Sequence, residues 1–148
     1  MLETIGAADV IVLVSNWKAA AAPFVVETIM RIKELSSASV VLVGPKQFGV
    51  VDIRVLLQMS IYERVANRHM TDIEILLLNK RLKTIEQTIY LDIIGALCDN
   101  DGNCPQVTEG GRLISQDGGH LTPAGALLLG DRLEQKMDLS KIFGLATN

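Results

Sequence analysis

Apolar and polar positions alternate between two spacings along this chain, and the switches between them predict its elements. Asp9-Val10-Ile11-Val12-Leu13-Val14 is a continuous apolar run of mostly β-branched residues closed by Ser15-Asn16, the pattern of a strand buried on both faces and therefore central in its sheet. Pro23 then stands where a first helical turn tolerates it. From Phe24 to Leu35 the spacing places Val25, Ile29 and Ile32 on one face, with Glu27, Arg31 and Glu34 elsewhere, which predicts an amphipathic crossover helix. Val40-Val41-Leu42-Val43 before Gly44-Pro45 repeats the strand pattern and completes a parallel, right-handed strand–helix–strand unit. A helix is expected from about Asp52 to Asn67. The capping-box spacing of Thr71-Asp72-Ile73-Glu74 opens another, reaching about Thr88. Tyr90 to Leu97 reads as the third strand. A glycine-rich loop follows, and Thr122 as N-cap with Pro123 behind it starts a last helix to about Lys136.

With no internal repeat, low-complexity tract or linker, residues 1–148 read as one α/β domain, a layered sandwich on a short parallel sheet. The first strand begins close to Met1 yet looks fully buried, so it is expected to want a neighbour that this chain does not supply.

Composition narrows the class. In the 148 residues 49% are hydrophobic and 21% charged, as in a soluble globular domain with an ordinary core. A net charge of -3 without a basic stripe gives no counterion-release drive toward nucleic acid and no polybasic segment for an anionic membrane surface. Met1-Leu2-Glu3-Thr4 carries an acid where a secretory signal carries lysine or arginine, and no apolar run approaches the ~18 residues of a spanning helix, so the chain as written reads as soluble and unexported. Cys98 and Cys104 lie close together in a loop-like stretch. Their spacing suits a small local disulfide in an oxidising compartment and equally two reduced cytosolic thiols.

In open parallel sheets the ligand crevice lies beyond the carboxyl ends of the strands, which directs attention to Ser15-Asn16-Trp17, Gly44-Pro45-Lys46 and the loop from Cys98 to His120. The last is chemically richest. Asp117 and His120 are three apart in a segment too glycine-rich for regular helix, so the carboxylate can fold back onto one imidazole nitrogen and leave the other free, giving a general base with its orienter. The plainer alternative has Asp117 capping a turn and His120 solvated. The Leu121-Thr122-Pro123-Ala124-Gly125 start of the next helix favours the first reading, because it fixes the backbone that carries His120.

Other signals are weaker. Asp99-Asn100-Asp101-Gly102-Asn103 resembles a calcium loop, but aligning Gly102 with the turn glycine puts Leu97 and Thr108 at the end ligands, so the register fails. Gly44-Pro45-Lys46 lacks the second half of a phosphate loop. His69 is read as exposed at a polar helix end, and Asn79-Lys80-Arg81-Leu82-Lys83 as a solvated helical face.

The Asp117-Gly118-Gly119-His120 block before the last helix resembles the final block of the SGNH (GDSL-like) hydrolases. Together with Asp9–Trp17, Val40–Gly49, the Cys98–Cys104 loop and Gly110 through Gly125, it is similar to the SGNH domain at the C-terminus of bacterial integral-membrane acyltransferases that O-acetylate cell-surface polysaccharides. The resemblance implies a flavodoxin-like three-layer fold and a Ser-His-Asp carbohydrate O-acetyl esterase or O-acetyltransferase, with His120 as general base and Asp117 as its orienting acid. Asn16, in Val14-Ser15-Asn16, corresponds to the family's oxyanion-hole asparagine, and Trp17 to a tryptophan that follows this strand in the membrane-acyltransferase group.

The family's Gly-Asp-Ser nucleophile block occurs nowhere in these residues, so its first strand–helix–strand elements are expected upstream of Met1, and the isolated chain is expected to be inactive. Ser15 is a weak substitute, lacking the flanking glycines of a nucleophile elbow. The resemblance further implies a periplasmic or extracytoplasmic setting, with which a Cys98–Cys104 disulfide would agree. Its implied partners are an acylated carbohydrate or other small acyl ester and an upstream membrane acyltransferase domain; no metal or organic cofactor is implied. The alternative is a catalytically inert tail acting as a binding or assembly module, self-associating through the exposed strand edge.

Overall fold

The computed structural model describes residues 2–144. In chain order, α1 (Leu2–Gly6) leads into β1 (Val10–Leu13), and a 3₁₀ turn (Ala19–Ala21) runs into α2 (Ala22–Leu35) and β2 (Ser39–Val43). Two short helices, α3 (Ile53–Gln58) and α4 (Ile61–Ala66), precede β3 (Arg68–Met70), α5 (Ile73–Lys83), β4 (Ile89–Leu91) and α6 (Ile93–Leu97). β5 (Asn103–Pro105), α7 (Pro123–Glu134) and α8 (Leu139–Phe143) complete the order.

β1, β2 and β4 form a parallel sheet in that order, with Val12 opposite Val41 and Leu42 opposite Tyr90. β2 is the central strand, and its period-2 geometry sorts the core into layers. Val40 and Leu42 face Val25, Ile29 and Ile32 of α2 and Leu78 and Leu82 of α5. Val41 faces the other way, toward Leu97, Ile114, Leu129 and Leu133. Helices thus cover both faces of a short parallel sheet, the three-layer α/β arrangement expected from the pattern. Each fully buried aliphatic side chain contributes roughly 1.5–3 kcal/mol, so a β2 flanked on both sides carries much of the sheet's stability.

β1 is not central. Among the described residues it pairs only with β2, and Val12 is 45% and Val14 58% exposed. A run of β-branched residues shows that a strand forms, but the sequence spacing does not say how many neighbours it has.

Several other expectations change. The helix expected over residues 52–67 breaks at Met59, because Ser60 starts a new one: its hydroxyl accepts from the Glu63 amide while Glu63 accepts from the Ser60 amide. The capping box therefore sits there and not at Thr71. Asp72 caps α5, whereas Thr71 is buried with its hydroxyl 2.9 Å from Cys104 Sγ. α5 stops at Lys83, short of Thr88, and Gln87 takes a positive φ of 62° in the turn that follows.

The run from Tyr90 to Leu97 divides after Leu91. Asp92 accepts from the Gly95 amide, Asn79 Nδ2 and Lys83 Nζ, so it caps a helix instead of continuing a strand. His69 lies not at a helix end but in β3, half-buried, within an antiparallel ribbon with β5 that places it opposite Cys104. Cys104 is disulfide-bonded to Cys98, which ties that ribbon to the end of α6. No helix among the described residues is long and apolar enough to cross a membrane.

Candidate functional site

The loop carrying Asp117 and His120 is closed at its base by an antiparallel bridge between Ser115 and Leu121. Beyond the bridge, the Thr122 amide donates to the Ile114 carbonyl (2.9 Å), and the Thr122 hydroxyl, which donates to the Leu113 carbonyl, accepts from the Gly125 amide as N-cap of α7. Gly125 lets the helix start close against the Ile114 backbone: a Cβ there would stand 2.1 Å from the Ile114 oxygen.

Within the loop Asp117 organises everything around it. Its Oδ1 accepts from the amides of Gly119 (2.9 Å) and His120 (2.7 Å), and its Oδ2 lies 2.6 Å from His120 Nδ1. The ring bond to His120, then the two amides, hold the Asp117 carboxyl well below the usual carboxylate range. An ionised carboxylate can only accept, so Nδ1 must be the donor, and in the neutral ring Nε2 is left with the lone pair of a base. Ser115, buried, donates from Oγ to the His120 carbonyl at 2.7 Å and fixes the backbone from below.

The loop also docks on distant chain. Gly118, at φ 79°, accepts at its carbonyl from the Phe48 amide (2.7 Å), and a Cβ on it would stand 1.9 Å from the Gly49 oxygen. Gly49 in turn has no room for a Cβ because the His69 ring occupies that space. The loop therefore rests on the Phe48–Gly49 backbone, and that strip rests on the His69 ring of β3.

Asp117, Gly118, Gly119 and His120 form one wall of a cleft of about 530 Å³. The rest of the lining comes from Val14, Ser15, Asn16 and Lys18 beyond the end of β1 and from Lys46 and Gln47 beyond the end of β2. The His120 side chain is 82% exposed and that of Asp117 55%, so the ring stands open to whatever enters. Ser15 and Asn16 are exposed at the same cleft, and neither side chain makes a hydrogen bond among the described residues. Trp17 is turned away from it. The Trp17 indole Nε1 donates to the Val43 carbonyl at 2.7 Å and its ring packs with the α2 layer, so it anchors the β1 end without facing the cleft.

Sequence reasoning brought out Asp117, His120, Ser15, Asn16 and, as a strand-end candidate, Lys46, which share the cleft; it missed Ser115 and Lys18, and did not single out Phe48–Gly49 as the seat of the loop. A serine two residues before Asp117 carries no signal by itself, and Lys18 becomes notable only when strand ends are brought together. The glycines at 49 and 118 were legible as loop residues but not as partners. No group of three or more His, Cys, Asp or Glu side chains converges on a metal position among the described residues. A second hollow of about 440 Å³, between α2 and the turn after α5, contains neither histidine nor cysteine.

Among curated proteins and among solved structures, none matches the chain. Residues 2–135 match the family model described as "SGNH domain (fused to AT3 domains)", which spans both walls of the cleft. That match and the layered parallel sheet lead to one conclusion: the chain belongs to this SGNH family, and is a domain of hydrolase or acyltransferase type.

Proposed function

We propose that the cleft is the acid–base half of a serine acyl-ester site acting on O-acetylated carbohydrate, within one SGNH domain. The observation that carries this reading is the 2.6 Å contact between Asp117 Oδ2 and His120 Nδ1, on a ring whose other nitrogen is open to a cleft at the strand ends. In this mechanism a serine hydroxyl from outside these 148 residues docks against Nε2 and attacks the acyl carbon. His120 takes the hydroxyl proton and later returns it to the departing sugar oxygen, and Asp117 steadies the imidazolium in between. Asn16 serves as an oxyanion donor, its side chain being exposed at the cleft and uncommitted. Transfer and hydrolysis differ only in whether a second sugar hydroxyl or water resolves the acyl-serine. The setting that suits this chemistry, the family's fusion to AT3 domains and the Cys98–Cys104 disulfide is extracytoplasmic, beside a membrane acyltransferase.

Hydrolysis of p-nitrophenyl acetate tests the assignment. The 148-residue chain is expected to turn over little, and a longer parent chain containing the serine block to be active. In that parent His120→Ala lowers kcat by about 10⁴. Equal rates for parent and variant would remove His120 from the mechanism. Robust turnover by the 148 residues alone would bring the nucleophile inside the chain and make Ser15 the residue to replace. The exposed edge of β1 favours a second reading, an inert assembly module that self-associates along that strand. That reading requires dimers in light scattering, and a monomer at all concentrations excludes it.

A further inference from the structure

Lys18 and Lys46 both line the cleft, one beyond the end of β1 and the other beyond the end of β2. Both are exposed, and neither enters an ion pair among the described residues. The one acid lining the cleft is Asp117, whose oxygens are already committed to His120 and Gly119. Past Lys18 the chain runs through the 3₁₀ turn into α2, and neither first turn carries an acid or a side-chain cap. In a protein of net charge -3, this cleft is thus lined by two lysines that, among the described residues, have no ion-pair partner.

We propose that the cleft selects a negatively charged glycan, in which the sugar that carries the ester, or its neighbour, bears an anionic group held by Lys18 and Lys46. The inference rests on the acyl-ester reading for the position of the ester, but not for the charge preference. Lysines are flexible point charges and do not impose the two-pronged geometry of arginine, so a carboxylate or a phosphate on a sugar ring meets the same requirement. Because both lysines are solvent-exposed, their contribution is modest and screened by salt. It acts as discrimination between glycans, not as the main source of affinity.

Amide chemical-shift titrations of the 148-residue chain at pH 8 separate the outcomes, using three acetylated oligosaccharides of equal length: a uronate, a phosphorylated sugar and a neutral sugar. The charged ligands are expected to shift the amides of Ser15 to Lys18 and of Lys46 and Gln47, and to bind about tenfold more tightly than the neutral one at low salt. The double variant Lys18→Gln/Lys46→Gln abolishes that preference, as does added salt of about 0.3 M. The tighter of the two charged ligands identifies the anion. The p-nitrophenyl acetate assay reads the catalytic assignment and these titrations read binding alone, so a failure of the catalytic reading is distinguishable from a failure of this one. Neutral and charged ligands binding alike, a double variant that keeps the preference, or no binding by any of the three overturns the proposal.

Discussion

The two walls of the cleft are built on different principles. The wall bearing His120 is over-determined: Asp117 accepts from two amides and a ring nitrogen, Ser115 holds the His120 carbonyl, and Gly118 rests on Gly49 with no space between them. The wall from Val14 to Lys18 follows an edge strand, and its side-chain anchor is the indole bond from Trp17 to Val43. The proposed base, His120, would need one fixed orientation to accept a proton in line, whereas residues proposed to receive a ligand could adjust to it. The contrast therefore divides the cleft into a fixed instrument and an adaptable margin.

The contrast breaks most readily at Gly118. An alanine there places its Cβ against the Gly49 carbonyl at a φ that alanine rarely adopts, and the chain is expected to lose about 3 kcal/mol of stability. Thermal unfolding should register this as a fall of roughly 10 °C, and an unchanged Tm would show that the loop is not clamped. On the other wall, Trp17→Phe keeps an aromatic ring but leaves the Val43 carbonyl without its partner. A loss of about 1 kcal/mol is expected in denaturant unfolding, with sharpening or doubling of the Ser15 and Asn16 amide signals as their anchor is released. If those signals stay as they are, the β1 end is held by something other than the indole.

The smallest effect belongs to the exposed Asp117–His120 pair, and pH isolates it. The folded Asp117 carboxyl titrates below its unfolded value, so its contribution to stability is complete above the unfolded pKa of about 4 and fades as pH falls toward the folded value. The Tm difference between wild type and Asp117→Asn should be level from pH 5 upward and shrink below about pH 4. A difference that persists undiminished into strong acid would mean that Asp117 acts through its shape and not its charge.

Much of this was legible in the residues because the governing physics is local. The spacing of Val25, Ile29 and Ile32 gave α2 its buried face, and Thr122-Pro123 gave α7 its start. Asp117 and His120 meet because the two glycines between them allow a reversal, and a reversal needs no distant partner. What escaped was set by neighbours that a single strand of sequence cannot name. The place of β1 at the sheet edge depends on what lies beside it. Asp92 ends β4 because Asn79 and Lys83, on another helix, reach its carboxylate. His69 looked like a solvated end residue because nothing in Arg68-His69-Met70 reveals the ribbon with Asn103-Cys104-Pro105 that turns it onto Gly49.

The brevity of the loop between Ser115 and Thr122 has a kinetic consequence. Acid, imidazole, supporting hydroxyl and helix cap are neighbours in sequence, so bringing them together costs little loop-closure entropy, and the pair can assemble early, before the long-range pairing of β1, β2 and β4 is complete. Its seat, the backbone of Phe48 and Gly49, comes from a distant part of the chain and depends on that long-range pairing.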